Sequence, residues 1–264
     1  MALSKTQIDR LGNRLKDGSH TESDLRMLDD YRRSFGEAYE AVVGTLRQRG
    51  ALPTGRLAKS TVSIVEKLRR ESIRLSQVQD IAGCRVVVGD VLEQDQFVTG
   101  LEVDFPATTV IDRRESPSHG YRAVHVIVKM SGKLVEIQVR TALQHLWAEV
   151  SEKSSDVLDP TIKYGGGDQR WRIILAICSK SVASYEQFEK KHAEAVKLGK
   201  VADASLEKFK RIVAKMRKRQ ARDPELQEYD KQLKFLTQEK MRRAQNNKAM
   251  EKELARLQIG RAHV

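Results

Sequence analysis

Leu134-Val135-Glu136-Ile137-Gln138-Val139-Arg140 alternates aliphatic and polar side chains without interruption. A period of two marks a β-strand, because successive side chains leave the backbone on opposite faces. Val135, Ile137 and Val139 then form a core face, and Glu136, Gln138 and Arg140 form a polar row in register. A slip of one residue would bury all three polar groups, so the pattern also fixes the strand's orientation. Just upstream, Tyr121 to Met130 repeats the alternation, with Val124, Val126 and Val128 on one side and Tyr121 and His125 on the other. Ser131-Gly132 between the two stretches is a hairpin signal. With both aliphatic rows inward, Tyr121, His125, Glu136, Gln138 and Arg140 share one outer surface. An ordinary half-exposed hairpin would satisfy the same alternation, so the surrounding residues decide between the two readings.

Working outward, Gly83-Cys84-Arg85-Val86-Val87-Val88 reads as a buried strand ending at Gly89-Asp90, and Thr108 to Ile111 as a shorter one. Asp80 stands immediately before the first of these, where a carboxylate can leave the sheet end. Asp80 and Glu136 together offer what Mg²⁺ on a nucleotide triphosphate needs: a few hard oxygen ligands, with phosphates and water completing the octahedron. Arg56, Lys59, Lys67, Arg69 and Arg70 bring cations to the start and one side of a helix running through Ile64, Val65 and Leu68. Phosphates favour guanidinium forks and helix N-termini.

From Ser4 to about Gly50 the period is helical. Leu25, Leu28, Phe35, Tyr39 and Val42 fall on one face of a helix whose start is capped by Thr21 with Asp24, and Gly50 to Gly55 breaks it. Helical period returns after Thr141, is interrupted at Tyr164-Gly165-Gly166-Gly167, and restarts at Asp223-Pro224. Beyond Ala202 the apolar positions thin out to Leu226, Tyr229, Leu233, Leu236, Met250, Leu254 and Leu257, a helical arm or weak coiled coil. The expected organisation is N-terminal helices packing on the core over 1–55, the core itself over 56–165, its C-terminal helix over 166–202, and a basic helical arm over 203–258. The last residues, 259–264, match one reading frame of a common sequencing-library adapter, and we expect them to be an artefact.

The chain carries 48 Lys and Arg against 36 Asp and Glu, a net charge of +12, and residues 201–264 alone hold 17 against 9. That balance favours polyanionic partners and is silent on fold. Cys84 and Cys178 both read as buried thiols of a reducing compartment. The N-terminus lacks a signal-peptide core and no apolar run is long enough to span a bilayer, so a cytoplasmic protein without membrane partners is expected.

Three stretches, Asp80-Ile81-Ala82-Gly83-Cys84-Arg85, Gly120-Tyr121-Arg122-Ala123-Val124-His125 and Val135-Glu136-Ile137-Gln138-Val139-Arg140-Thr141, resemble the ordered motifs of the RelA/SpoT synthetase domain. Arg56 and Lys59-Ser60, with Ser63 to Leu68, resemble that family's nucleotide-binding stretch. The resemblance runs from about Tyr31 to Tyr164. It implies an α+β fold, a nucleotidyltransferase-like mixed sheet flanked by helices, here with a C-terminal helical extension. It also implies transfer of the β,γ-pyrophosphate of ATP to a ribose 3′-hydroxyl, of GDP or GTP, giving (p)ppGpp. Carried over, Asp80 and Glu136 hold Mg²⁺, and Glu136 helps deprotonate the hydroxyl. Arg56, Lys59, Lys67 and Arg85 bind ATP and its phosphates, Tyr121 stacks on the acceptor base, and His125, Gln138 and Arg140 complete the site.

Three features depart from that pattern. Two residues separate Arg56 from Lys59, where many members have one. No His-Asp dipeptide occurs and little chain precedes Arg56, so a stand-alone synthetase without the hydrolase domain is expected. Trp147-Ala148-Glu149-Val150-Ser151-Glu152-Lys153 stands where alarmone-making members carry Glu-His and then Tyr-Lys, and the loop Asp112 to Gly120 also differs. These departures resemble the toxin branch of small synthetases, which gives the alternative acceptors, a tRNA 3′ end or an adenine nucleotide, and an antitoxin protein as a partner. Homo-oligomerisation is a further expectation from the resemblance, and a catalytically silent binding module is the alternative of another class.

Overall fold

In the computed structural model, which describes residues 3–219 and 224–259, three helices open the chain: α1 (Lys5–Asp17), α2 (Glu22–Arg33) and α3 (Gly36–Gln48). Thr21 caps α2 as its sequence requires: its hydroxyl accepts from the Asp24 amide, and the Asp24 carboxylate accepts from the Thr21 amide at 3.0 Å. Asp24 is also held by Arg14 of α1, which ties the first two helices together. The single helix expected across Leu25 to Val42 is two. The chain turns at Ser34, whose hydroxyl donates to the Tyr31 carbonyl at 2.6 Å. Leu28, Phe35 and Val42 are nonetheless all buried, so the apolar face survives the bend.

The sheet has the order β1-β2-β5-β4-β3, built from β1 (Thr54–Arg56), β2 (Ala82–Val88), β3 (Thr108–Asp112), β4 (Val124–Met130) and β5 (Lys133–Thr141). β5 is central, parallel to β2 and antiparallel to β4, so the sheet is mixed. The β4–β5 hairpin closes on Ser131 and Gly132, with φ of +49° and +76°. Two consecutive positive φ values match the twist of the flanking strands, and Gly132 adopts its value without a Cβ penalty. Val135, Ile137, Val139, Val124, Val126 and Val128 are each at most 1% exposed. They join apolar residues of α1, α2, α3, α4 (Thr61–Glu71) and α5 (Val91–Asp104) in one continuous core.

Several expectations are corrected. β4 starts at Val124; Tyr121 precedes it in a single bridge to Ser118. β2 is buried on alternate residues only, leaving Val87 exposed and Arg85 on the polar face. β1 and α5 are additional elements. β1 is three exposed residues long, and α5 carries apolar side chains around its whole circumference, so neither shows a period. Cys84 is buried, but Cys178 is exposed, because α7 (Gln169–Arg219) turns Leu175 and Ser179 inward instead.

Contacts divide the chain into residues 1–183 and 184–264. In the second unit, the later part of α7 lies along α8 (Pro224–Ile259): Arg243 and Lys240 reach Asp203 at 3.1 and 3.5 Å, and Phe209 meets Tyr229 edge to face. Leu206 and Val213 are buried there, so this basic segment forms a helical hairpin. Asp223 of the expected helix start and the 259–264 segment beyond Ile259 lie outside the described residues. No helix among those described is long and apolar enough to cross a membrane.

Ile137→Ala should lower unfolding free energy by about 2–5 kcal/mol in urea titrations, because its site at the centre of β5 has little room to collapse. Gly55→Ala should act locally. A Cβ there would stand 2.6 Å from both the Cys84 Cα and the Gly83 carbonyl oxygen. Faster amide exchange over residues 52–59, with exchange in β4 and β5 unchanged, is the expected reading.

Candidate active site

Parallel pairing of β2 with β5 sets Gly83 beside Glu136 and Arg85 beside Gln138, and antiparallel pairing of β4 sets His125 opposite Gln138. The polar row of β5 is thereby flanked on both sides by residues of the same face. Its side chains close a ring of hydrogen bonds. Arg140 Nη2 donates to the Tyr121 hydroxyl (2.9 Å) and to Gln138 Oε1 (2.8 Å). Tyr121 lies 2.8 Å from His125 Nε2, and His125 Nδ1 lies 2.9 Å from Glu136 Oε1. Gln138 Nε2 donates to Glu136 Oε2 at 2.8 Å. Since a carboxylate only accepts, His125 donates from Nδ1, and in the neutral tautomer Nε2 accepts from Tyr121.

Burial pushes the Glu136 carboxyl up, but the His125 and Gln138 donors outweigh it and hold the group below the ordinary carboxylate range. Asp80 reaches the same result differently. Burial again opposes ionisation, and Lys59 and Lys67 overcome it from 2.6 and 2.9 Å. Lys67 comes from α4, which Ser60 caps, and Lys59 from the turn preceding it. The Lys59 amide donates to the Ile81 carbonyl at 2.7 Å, which fixes this turn against the start of β2.

A cavity of about 720 Å³ lies over this surface. It brings together Arg56, Lys59, Asp80, Arg85, Glu136, Gln138 and Arg140. Lys67 reaches it only through Asp80, while Tyr121 and His125 sit behind the row and reach it through the ring. Tyr121 packs instead beside Trp147, Ile162 and Leu175, and burial raises its phenol pKa against the lowering effect of Arg140. Four further lining residues, Glu152, Asp156, Lys163 and Tyr164, come from α6 (Ala142–Val157) and the turn after it. Nothing in the local sequence period marks them as lining residues. Arg70 also lines the cavity, with its guanidinium 4.0 Å above the Tyr164 ring. Another unread residue is Gln94 of α5, fully buried, which donates to the Val139 carbonyl and to Gln144 of α6. Gln144 and Thr141 cap α6 reciprocally, so the end of β5 and the start of α6 are fixed together.

Two cations stand apart from this neutralised network. Arg140 is 3% exposed, yet its polar partners are the neutral Tyr121 and Gln138, and its Nε and Nη1 have no hydrogen-bond partner. Arg85 Nε is likewise buried without one, and burial together with the Arg140 charge lowers the Arg85 pKa. Two neighbouring guanidiniums with unused donors call for an anion. Each oxygen of Asp80 and Glu136 accepts one of the hydrogen bonds described above and retains a further lone pair, so both carboxylates fit a Mg²⁺ ion. No cluster of three or more His, Cys, Asp or Glu occurs among the described residues. Such an ion would draw its remaining ligands from phosphates and water.

Residues 55–155 match the model of the region found in RelA / SpoT proteins. An uncharacterized protein of Mycobacterium tuberculosis is 34% identical over 173 residues, covering 61% of this chain and 62% of that protein. GTP pyrophosphokinase YjbM of Bacillus subtilis is 38% identical over 121 residues, covering 37% of this chain and 52% of that one. The chain thus spans less than two thirds of the length of these relatives. The crystal structure of small alarmone synthetase 1 from Bacillus subtilis, bound to its product pppGpp, superposes with a TM-score of 0.50 at 24% identity, over 67% of this chain and 100% of that chain. That likeness concerns the fold, a mixed sheet flanked by helices. From Gly55 to Ser155 the chain matches the region found in RelA / SpoT proteins.

Proposed function

We propose that the chain is an ATP-dependent 3′-pyrophosphotransferase that makes (p)ppGpp-type products from ATP and GDP or GTP. The observation that carries the reading is the pairing, in one cavity, of two carboxylates held below the ordinary carboxylate range with two guanidiniums, Arg140 buried and Arg85 half-buried, that keep unused donors. Phosphoryl transfer needs in-line positioning and charge neutralisation more than covalent chemistry. Arg85 and Arg140 are suited to the transferred phosphates, and Arg56 and Lys59 to the remainder of ATP. Asp80 and Glu136 would hold Mg²⁺, which supplies neutralisation of the β- and γ-phosphate charge when bound. Glu136 also faces the position of an incoming hydroxyl and can accept its hydrogen bond. Its depressed pKa suits charge and orientation better than storage of a proton, which a base near neutrality would do. Tyr121 is assigned to the acceptor side, and the His125 and Gln138 donors keep Glu136 in place. The match of residues 55–155 to the RelA / SpoT region and the named activity of YjbM support the reaction class.

A second acceptor, the tRNA 3′ end, is favoured by the net charge of +12 and by the helical hairpin's basic excess. Purified protein with γ-³²P-labelled ATP and Mg²⁺, offered GDP, GTP, AMP and deacylated tRNA in parallel, separates the readings. We expect label in GDP and GTP. Label in tRNA alone would replace the guanine nucleotide as acceptor, and label in none would leave a binding module.

Glu136→Gln keeps the side chain's shape and removes the charge. Activity should fall by about two to four orders of magnitude, the scale of a lost metal ligand or general base, with the circular dichroism spectrum and urea midpoint retained. Near-normal turnover in this variant would remove Glu136 from the mechanism.

A further inference from the structure

The acceptor side of the proposed site is built on a loop rather than on a strand. The segment from Arg113 to Arg122 is an irregular loop between β3 and β4, and Tyr121 lies at its end. Such a loop pivots unless something fixes its backbone. Gly120 supplies the point of fixation. Its φ is +89°, and a Cβ there would meet the Trp147 ring at 2.8 Å and the Ser179 Cβ at 3.2 Å. The loop is therefore pressed against α6 and α7 at a position where only glycine fits.

Ser179 secures that contact. Its hydroxyl donates to the Gly120 carbonyl at 2.7 Å, and the residue is 6% exposed. A serine inside a helix usually turns its hydroxyl back to the carbonyl four residues earlier, as Ser181 does to Ile177 at 3.1 Å. Ser179 instead spans to another element. One turn earlier the Leu175 carbonyl accepts from Trp147 Nε1 at 2.9 Å, so the same face of α7 fixes the ring against which Gly120 rests. Trp147, Leu175 and Ile162 then form the small apolar cluster on which Tyr121 packs.

We infer that Ser179 is a positioning residue for the acceptor: through the Gly120 carbonyl it sets the backbone of Tyr121, and so the acceptor-binding half of the site. It touches neither the cavity nor the phosphate-facing residues, and it lies outside the 55–155 region matched by the family model. The inference rests on the proposed pyrophosphotransfer for its kinetic consequence, but the clamp itself is independent of activity.

The test compares Ser179→Ala with Ser181→Ala, each removing a helical hydroxyl, with GDP as acceptor. For Ser179→Ala we expect the KM for GDP to rise about tenfold, as when a buried carbonyl loses its donor. KM for ATP and kcat should stay within about twofold, the signature of lost acceptor binding alone. Ser181→Ala should behave as wild type. A merely structural loss would move the ATP and GDP parameters together. In parallel, hydrogen–deuterium exchange of the peptide 116–122 should accelerate in Ser179→Ala and not in Ser181→Ala. An unchanged KM for GDP, or an equal rise in the KM for ATP, would overturn the inference. If wild-type protein labels no acceptor at all, it is the pyrophosphotransfer reading that fails, and the exchange result decides the clamp by itself: unchanged exchange rejects it.

Discussion

Glu136 faces a cavity with only 12% of its side chain exposed, and its carboxylate must nevertheless stay ionised to serve the proposed metal site. Desolvation works against that charge, and no lysine or arginine is paired with it. The charge is kept by two hydrogen-bond donors, His125 on one oxygen and Gln138 on the other. Those two donors are oriented in turn by Tyr121 and Arg140, which closes the circuit. Each member uses an opposite end of the next, so a change in one is passed around the ring. The arrangement depends on strand register. Glu136, Gln138 and Arg140 share a face only because β5 alternates, and His125 meets them only because the hairpin is closed by two residues with positive φ.

Asp80 shows the other way to stabilise a buried anion. Two lysines from different positions around α4 neutralise it directly. The contrast bears on how the two carboxylates respond to a bound cation. Asp80 can release lysine partners toward incoming phosphates, whereas Glu136, which lines the same cavity, has no lysine or arginine to release. Arg85 and Arg140 mirror this on the positive side. They lie close enough to depress the Arg85 pKa, and their free donors point to an anion as the missing member. A nucleotide phosphate chain with its metal would satisfy the pattern of charges at once.

Much of this was legible because it rests on short-range periodicity. The alternation from Leu134 to Arg140, the Ser131-Gly132 turn and the Thr21–Asp24 cap each encode their geometry within a few residues. What escaped depends on partners distant in sequence. β1 has no apolar face and exists because Gly55 lets its backbone approach β2. α5 has no polar face to betray its period, and its Gln94 acquires meaning only against Val139 and Gln144. The bend at Ser34 leaves the apolar spacing intact, so the spacing could not reveal it. For the site, residue types and order exposed the polar row, Asp80 and the cations. The ring's connectivity, the Asp80–Lys67 pair and the cavity wall at Lys163 and Tyr164 required the three-dimensional arrangement. Cys178 was misread for a related reason: its neighbours are apolar in sequence, but only one face of α7 there is inward.

The two halves of the proposed site differ in how rigidly they are built, and this limits where specificity can change. On the phosphate side, Glu136, Gln138, Arg140 and Arg85 stand on adjacent paired strands, so the sheet sets their separations. Lys59 is fixed through its own backbone to Ile81. On the acceptor side, the loop from Arg113 to Gly120 has only isolated backbone bonds, from Arg113 to the Ala123 carbonyl and across the Ser118–Tyr121 bridge, and is otherwise held by side chains. Arg114 is pinned by Asp112 and Asp95 at 2.6 and 2.7 Å, and Gly120 by Ser179 and Trp147. These attachments are side-chain contacts that substitution can shift without disturbing a strand. A fold with this division can retain pyrophosphate chemistry while its acceptor changes, provided the loop and the helices beneath it change together. The departures of this sequence from the usual alarmone-making pattern fall in the Asp112–Gly120 loop and the Trp147–Lys153 stretch of α6, on that adjustable side.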